Sequence, residues 1–161
     1  IIGIESDLVY MLTSNWRINA AFSYNQAELS QDLAIGDNFS PKGTQLPSVP
    51  EFKANFSTRY NFEINEYDLH TQLVFAHVGE SQNDVFKFGD DDTTVDARQQ
   101  LDAYNIVNLS AGVAVNSWKV SLYVDNLTDE RAQLTKGTDW DSTVVINRPR
   151  TIGVSFGYLF E

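Results

Sequence analysis

Arg148-Pro149-Arg150-Thr151-Ile152-Gly153-Val154-Ser155-Phe156-Gly157-Tyr158-Leu159-Phe160-Glu161 closes the chain, and its alternation is the key to the fold class. One parity reads Ile152, Val154, Phe156, Tyr158, Phe160, and the other reads Gly153, Ser155, Gly157, Leu159. A period of two, with one bulky apolar face and one small or polar face, describes a strand whose two sides meet different surroundings. Alternation by itself does not choose between a packed protein core and lipid.

The stretches upstream repeat the pattern. Ile2, Ile4, Ser6, Leu8, Tyr10 and Leu12 oppose Gly3, Glu5, Asp7 and Val9. Trp16, Ile18, Ala20, Phe22 and Tyr24 oppose Arg17, Asn19, Ala21, Ser23 and Asn25. Phe52 to Phe62, Tyr67 to His77, Val107 to Val115 and Trp118 to Val124 alternate in the same way. The connections are in turn short (13–15, 63–66, 116–117) and long (30–50, 79–102, 126–147), which predicts antiparallel hairpins joined by extended loops. The face opposite the apolar one carries Arg17, Lys53, Arg59, His70, Gln72, Lys119 and Asp125, too polar for a dry core. Tyr10, Trp16, Phe62, Tyr67, Trp118 and Phe160 fall near the short turns or the terminal end, along one rim, as an interfacial aromatic belt would.

Composition narrows the classes. The chain has 161 residues, no cysteine and a formal charge of -11, which opposes nucleic-acid binding and removes disulfides and thiolate metal sites. No run approaches the ~20 apolar residues of a membrane helix, whereas barrel strands need only ~9–11. A soluble sandwich would have to solvate the polar face and would leave the long loops unexplained. The fold class expected is therefore all-β, an antiparallel transmembrane β-barrel. Ile4, Leu8, Phe22, Phe56, Leu73, Val113, Leu122, Val124, Val154 and Phe156 are expected to face lipid. Seven strands leave unpaired edges, which cannot face hydrocarbon. The chain also opens inside a strand, at Ile1-Ile2-Gly3-Ile4-Glu5, without a basic and apolar leader. Residues 1–161 are thus expected to be a partial barrel domain, truncated or processed from something longer.

The residues support no catalytic constellation. His70 and His77 are spaced for opposite faces of a strand. Asp90-Asp91-Asp92 lacks the spacing of a calcium loop, and Gly153-x-x-x-Gly157 lies in a strand and not before a helix. No enzyme activity, cofactor or protein-donated metal site is expected.

Tyr123-Val124-Asp125-Asn126-Leu127-Thr128-Asp129-Glu130-Arg131 resembles the penultimate-strand signature of TonB-dependent outer-membrane receptors, and Asn147 to Phe156 resembles the approach to their final strand. Leu46-Pro47-Ser48-Val49-Pro50-Glu51-Phe52 and Tyr104 to Ser110 are similar to the starts of late strands there, and Trp16 to Leu29 fits more loosely. The resemblance implies about seven C-terminal strands of a barrel of about 22 strands, with a separate N-terminal plug and a TonB-contact segment outside this chain. It implies TonB-dependent uptake of a scarce solute, by default a ferric siderophore complex, across the outer membrane of a Gram-negative cell. The partners implied are lipid and lipopolysaccharide, the plug, the TonB complex, the barrel assembly machinery and the solute. Within the long loops Phe39, Phe86, Phe88 and Trp140 are the candidate solute contacts, since aromatic rings give rigid binding area. Phe156, Tyr158 and Phe160 resemble the terminal assembly signal, although Glu161 follows where family members end on the aromatic. The alternatives are a plug-less porin or other outer-membrane barrel, and a soluble β-sandwich binding module.

Overall fold

The structure, a computed structural model, describes residues 1–87, 96, 98–137 and 143–160. In chain order the strands are β1 (Ile2–Thr13), β2 (Trp16–Gln26), β3 (Leu33–Ile35), β4 (Asn38–Ser40), β5 (Phe52–Ile64), β6 (Tyr67–Val78), β7 (Ser81–Gln82), β8 (Gln100–Leu101), β9 (Tyr104–Val115), β10 (Trp118–Asp125), β11 (Gln133–Lys136), β12 (Val144–Ile146) and β13 (Thr151–Tyr158). The long ones form one seven-stranded antiparallel sheet in the order β1-β2-β5-β6-β9-β10-β13, so each lies beside the long strand before it. This is the meander expected from alternating short and long connections. Asn65 and Asn116 open two of the short turns with φ of 55° and 50°, a left-handed conformation that asparagine tolerates.

Register turns the sequence parities into two continuous walls. Ala20, Phe56, Phe75 and Val107 lie side by side across four strands. Leu73, Leu109, Val124 and Ile152 do the same across β6, β9, β10 and β13. Every residue expected to face lipid falls on this wall. Its side chains are open: Leu122 is 60%, Val154 63% and Phe156 64% exposed. Among the described residues the fully buried apolar side chains are Ala27, Leu101 and Ala132, and none belongs to a long strand. The sheet therefore has no protein core over its apolar wall. A surface of this extent requires an apolar solvent.

The opposite wall is polar and finely fitted. Asn19 Nδ2 donates to Ser57 Oγ (2.8 Å), and Arg59 donates through Nε to Asn61 Oδ1 (3.0 Å) and through Nη1 to Gln72 Oε1 (3.2 Å). The Tyr123 ring lies directly over Gly153, its partner across β10 and β13, where any Cβ would collide with the ring. Gly112 leaves room in the same way for Ser121 Oγ and for His70 Cε1, which would stand 2.5 Å from an added Cβ. The small residues of the terminal stretch thus seat large neighbours on the polar side.

Rings gather at the short-turn rim of the apolar wall. Trp16 and Tyr60 meet edge-on at 6.0 Å, Tyr60 stacks on Phe62 at 5.6 Å, and Trp118 lies 4.4 Å from Tyr158. A second, sparser set lies at the loop rim: Phe52 pairs with Tyr24 across the ladder, and its ring lies 5.7 Å from His77. From Phe52 to Phe62 the strand runs about 33 Å at ~3.3 Å per residue. At a tilt of ~40° this gives about 25 Å along the membrane normal, the height of an outer-membrane apolar band.

The ladder differs from simple alternation at one place. It shifts between Met11 and Thr13, so Thr13 and not Leu12 opposes Trp16. The bulge leaves Leu12 out of the ladder, so it does not continue the Tyr10 face by pairing. The long connections are also more ordered than their composition suggests, each carrying a short hairpin: β3 with β4, β7 with β8, and β11 with β12.

The two walls make opposite demands on an added charge. Leu122→Arg should destabilise the barrel that carries this chain by ~2–4 kcal/mol in a membrane-folding titration, and Ser155→Arg on the polar wall should cost less than about 1 kcal/mol. Equal costs would mean that the walls are misassigned.

Candidate functional site

The long connections all leave the same end of the sheet, and the structure ties them to one another. In the first, Gly36 (φ 61°) makes the turn between β3 and β4, and Glu28 and Gln45 bridge the base of the loop. Asp32 Oδ1 accepts the backbone N–H of Lys42 at 2.7 Å. The loop meets its neighbour through Ser40, whose side chain is fully buried. Ser40 Oγ donates to the Val85 carbonyl (2.6 Å) and accepts the N–H of Lys87 (2.8 Å). Ser48 N–H donates to the Gln82 carbonyl (2.8 Å), and Arg98 Nη1 reaches the Gln45 carbonyl (3.4 Å).

Within the second connection Arg98 holds Asp96 through Nε (2.9 Å) and Nη2 (2.7 Å), with Lys87 Nζ at 4.0 Å. The Arg98 hydrogen bond keeps the Asp96 carboxyl below the usual carboxylate range, against the opposing effect of partial burial. The third connection joins the layer through Lys136 Nζ, which donates to the Gln100 carbonyl at 3.0 Å.

Asn126 anchors that third loop. It is 4% exposed and left-handed (φ 53°), and its amide Nδ2 donates to the carbonyls of Glu130 (2.9 Å) and Arg148 (3.0 Å). Its Oδ1 accepts Glu130 N–H (2.9 Å), and its own N–H donates to Asn108 Oδ1 on the sheet (2.9 Å). Every polar group of one buried side chain is thereby used to clamp both ends of the loop to the wall. Asp129 adds a second clamp, with Oδ1 accepting Arg150 N–H (2.8 Å) and Oδ2 paired with Arg131 (3.0 Å).

Below the loop layer the polar wall holds two recesses. One, of about 230 Å³, has Ser48, Lys53, Asp102 and Gln133 in its lining; the other, of about 350 Å³, has Asn108, Asp125, Asn147 and Arg148. Tyr104 and Leu134 line both. Asn147 Oδ1 is buried without a hydrogen-bond partner among the described residues, an acceptor available to a donor group. The chemistry offered is hydrogen bonding and mixed charge beneath the loop layer.

Phe39 and Phe86, named from sequence, both flank the Ser40 junction. Phe39 precedes Ser40 on β4, and Phe86 lies between the two residues that bond Ser40 Oγ; both rings are half-buried. Phe88 and Trp140, like the Asp90-Asp91-Asp92 run and Glu161, lie outside the described residues. In the sequence Tyr104 and Asn147 mark only strand and loop ends, and their polarity there does not say that the two recesses share a border. His70 and His77 stand on opposite walls, the latter bonded through Nδ1 to Asn105 Oδ1 at 2.8 Å.

A sheet with one wall for lipid, one for water and a tied layer of loops at a single end is the wall of a β-barrel-like receptor. The chain belongs to the TonB dependent receptor-like β-barrel family, whose model matches residues 1–127, and this family is one of non-catalytic transport proteins of the Gram-negative outer membrane. No curated protein matches the sequence. Among solved structures it is similar to the siderophore receptor PiuA from Acinetobacter baumannii (TM-score 0.70, 19% identity, covering 97% of this chain and 21% of that one). It is also similar to BauA, the ferric preacinetobactin receptor from the same organism (0.73, 17%, 97% and 21%). A third is the ferric yersiniabactin uptake receptor FyuA from Yersinia pestis (0.70, 19%, 99% and 23%). The chain spans about a fifth of the length of these proteins.

The Asp129 clamp sets an acid limit on the third loop. The hydrogen bond from Arg150 N–H, then that from Arg131, lowers the Asp129 pKa in the folded state. Its contribution is therefore complete above the ordinary carboxylate pKa of roughly 4 and is lost as pH falls through the lower folded value. Amide exchange at Glu130 to Ala132 should accelerate on acidification below that range, beyond the intrinsic pH effect, and Asp129→Asn should abolish the pH dependence. An unchanged profile in the variant would remove Asp129 from this role.

Proposed function

We propose that this chain forms about seven C-terminal strands of a barrel of about 22, in a receptor that takes up a scarce solute across the outer membrane by a TonB-dependent mechanism. The observation that carries the reading is the tied loop layer above a polar wall recessed by Tyr104, Asp125, Asn147 and Arg148, within a family of transport proteins. The outer edges of β1 and β13 have no partner in this sheet, and hydrocarbon does not tolerate unpaired backbone. Further strands closing the wall satisfy them. The solute class favoured is a ferric siderophore complex, because similar structures include a siderophore receptor and receptors for ferric yersiniabactin and ferric preacinetobactin.

In this reading the loops capture the solute, with Phe39, Phe86, Phe88 and Trp140 as aromatic contacts. An N-terminal plug fills the lumen, and the TonB complex drives its rearrangement. The apolar wall meets lipid, and lipopolysaccharide surrounds its outer rim. Deleting residues 30–50 or 79–102 from the complete protein should weaken solute binding about tenfold or more, the equivalent of ~1.4 kcal/mol. Heat-modifiable mobility should still report a folded barrel. Undiminished affinity in both deletions would remove these loops from recognition.

Phe156, Tyr158 and Phe160 are proposed as the assembly signal read by the barrel assembly machinery. Trp118 lies 5.1 Å from Phe156, Tyr158 meets Phe160 edge-on at 4.7 Å, and Phe160 is 85% exposed at the rim. Phe160→Ser removes apolar area worth ~1.5–3 kcal/mol when buried. It should lower folded yield in outer-membrane fractions while leaving solute affinity per folded barrel unchanged. Normal yield would sink the assignment.

A further inference from the structure

The polar wall carries a charge arrangement that its own residues do not neutralise. Arg17 on β2 stands directly opposite Arg59 on β5. Residues so paired have Cβ atoms ~4.5–5.5 Å apart, and like charges in that relation are destabilising. Arg59 spends two donor groups on Asn61 and Gln72, and Arg17 makes no side-chain hydrogen bond with the described residues. Neither has a carboxylate partner: among the described residues the ion pairs are Lys87–Asp96, Arg98–Asp96 and Arg131–Asp129, all in the loops.

The surroundings make the charge more exposed. Toward the loops the next row on this wall is neutral, with Asn19 bonded to Ser57 and then Val74 and Asn108. Toward the short turns the next row adds His70 opposite Asn61. Glu63 and Asp68 oppose each other one row further on, ~13 Å along the strand from Arg59. Lys119 lies on that outer row too, beside Ala114. A concavity of about 420 Å³ extends from Arg59 toward the short turns, where Glu63 and Asp68 face Lys119 across it; Arg17 stands outside this lining. These carboxylates are thus grouped with Lys119, away from the arginine pair, in a lumen where charges are screened less than at an open surface.

We infer that Arg17 and Arg59 form a two-guanidinium site for an oxyanion, a carboxylate or phosphate group bridging β2 and β5 from the lumen. Guanidinium forks match such groups bidentately, and one shared anion turns the repulsion of the pair into two charge-assisted contacts. The inference rests on reading the polar wall as the lumen surface. The oxyanion has two sources, an acidic side chain of polypeptide filling the lumen or a free anionic solute.

The test is residue-resolved labelling of arginine by phenylglyoxal in the complete protein, with free N-acetylarginine in the same solution as the unpaired reference. If the oxyanion belongs to lumenal polypeptide, Arg17 labels about tenfold more slowly than that reference in anion-free buffer, the factor for ~1.4 kcal/mol of contact. In Arg59→Gln, which dismantles the shared site, Arg17 then labels at the rate of the reference. If the oxyanion is a free solute, Arg17 labels readily without anions. Inorganic phosphate or citrate then slows it about tenfold, compared with sodium chloride at equal ionic strength, and Arg59→Gln abolishes that protection. Arg59→Lys, which keeps the charge but not the fork, gives intermediate protection and serves where Arg59→Gln folds poorly, folding being followed by heat-modifiable mobility. Arg17 labelling that is unchanged by the Arg59 variants and by added anions overturns the site, whether the rate is fast or slow. The readout is separate from uptake, so its failure differs from a failure of the loop deletions to impair solute binding.

Discussion

The backbone ladder is the constraint on which the remaining features depend. Inside a bilayer an unpaired N–H or C=O has no water to turn to, so each spanning strand must be bonded along its length on both sides. The registers from β1 to β13, with one bulge between Met11 and Thr13, meet that demand within the sheet. Once the ladder is fixed, parity has no freedom. A one-residue slip of β6 against β5 would move Leu73, Leu109, Val124 and Ile152 to the polar wall together and bring Gln72, Asn108 and Ser121 to the apolar side. The hydrophobic pattern and the hydrogen bonds therefore specify the same register, and each penalises errors in the other.

The two walls are built by different rules because their solvents differ. The lipid wall needs bulk and no tight fit, so Leu122, Val154 and Phe156 stand open with little side-chain interlocking. The polar wall is crowded, and there volume is matched by local exchange. Gly153 yields space to Tyr123, and Gly112 yields it to His70 and Ser121. Small residues on β9 and β13 are thus the complement of large ones on β6 and β10, which explains why glycine is tolerated in strands that would otherwise be weakened by it.

The loops face water, and their order comes from polar contacts in place of core burial. Ser40, Asn126 and Asp129 each satisfy backbone groups that a long connection would leave unpaired. A layer held this way is firm enough to present aromatic rings yet contains no large apolar core. Such a layer can change shape at modest cost.

The sequence by itself determined the seven long strands, the two walls and the position of the main aromatic rim, because a period of two projects directly onto two faces and needs only local information. The family resemblance was carried separately, by the motifs at Tyr123–Arg131 and Asn147–Phe156. The sequence also marked Phe39 and Phe86 as loop aromatics, through composition alone. Only the tertiary structure decided which residues from distant strands become neighbours: Arg17 with Arg59, Tyr123 with Gly153, and Ser40 with Val85 and Lys87. The bulge that displaces Leu12, the hairpins inside the loops and the recesses shared at Tyr104 and Leu134 belong to the same category. The physical reason is that alternation says which face a side chain takes but not what stands across from it. Partners are set by register between strands, by turn geometry and by loop-to-loop hydrogen bonds, and these exist only once the chain has folded.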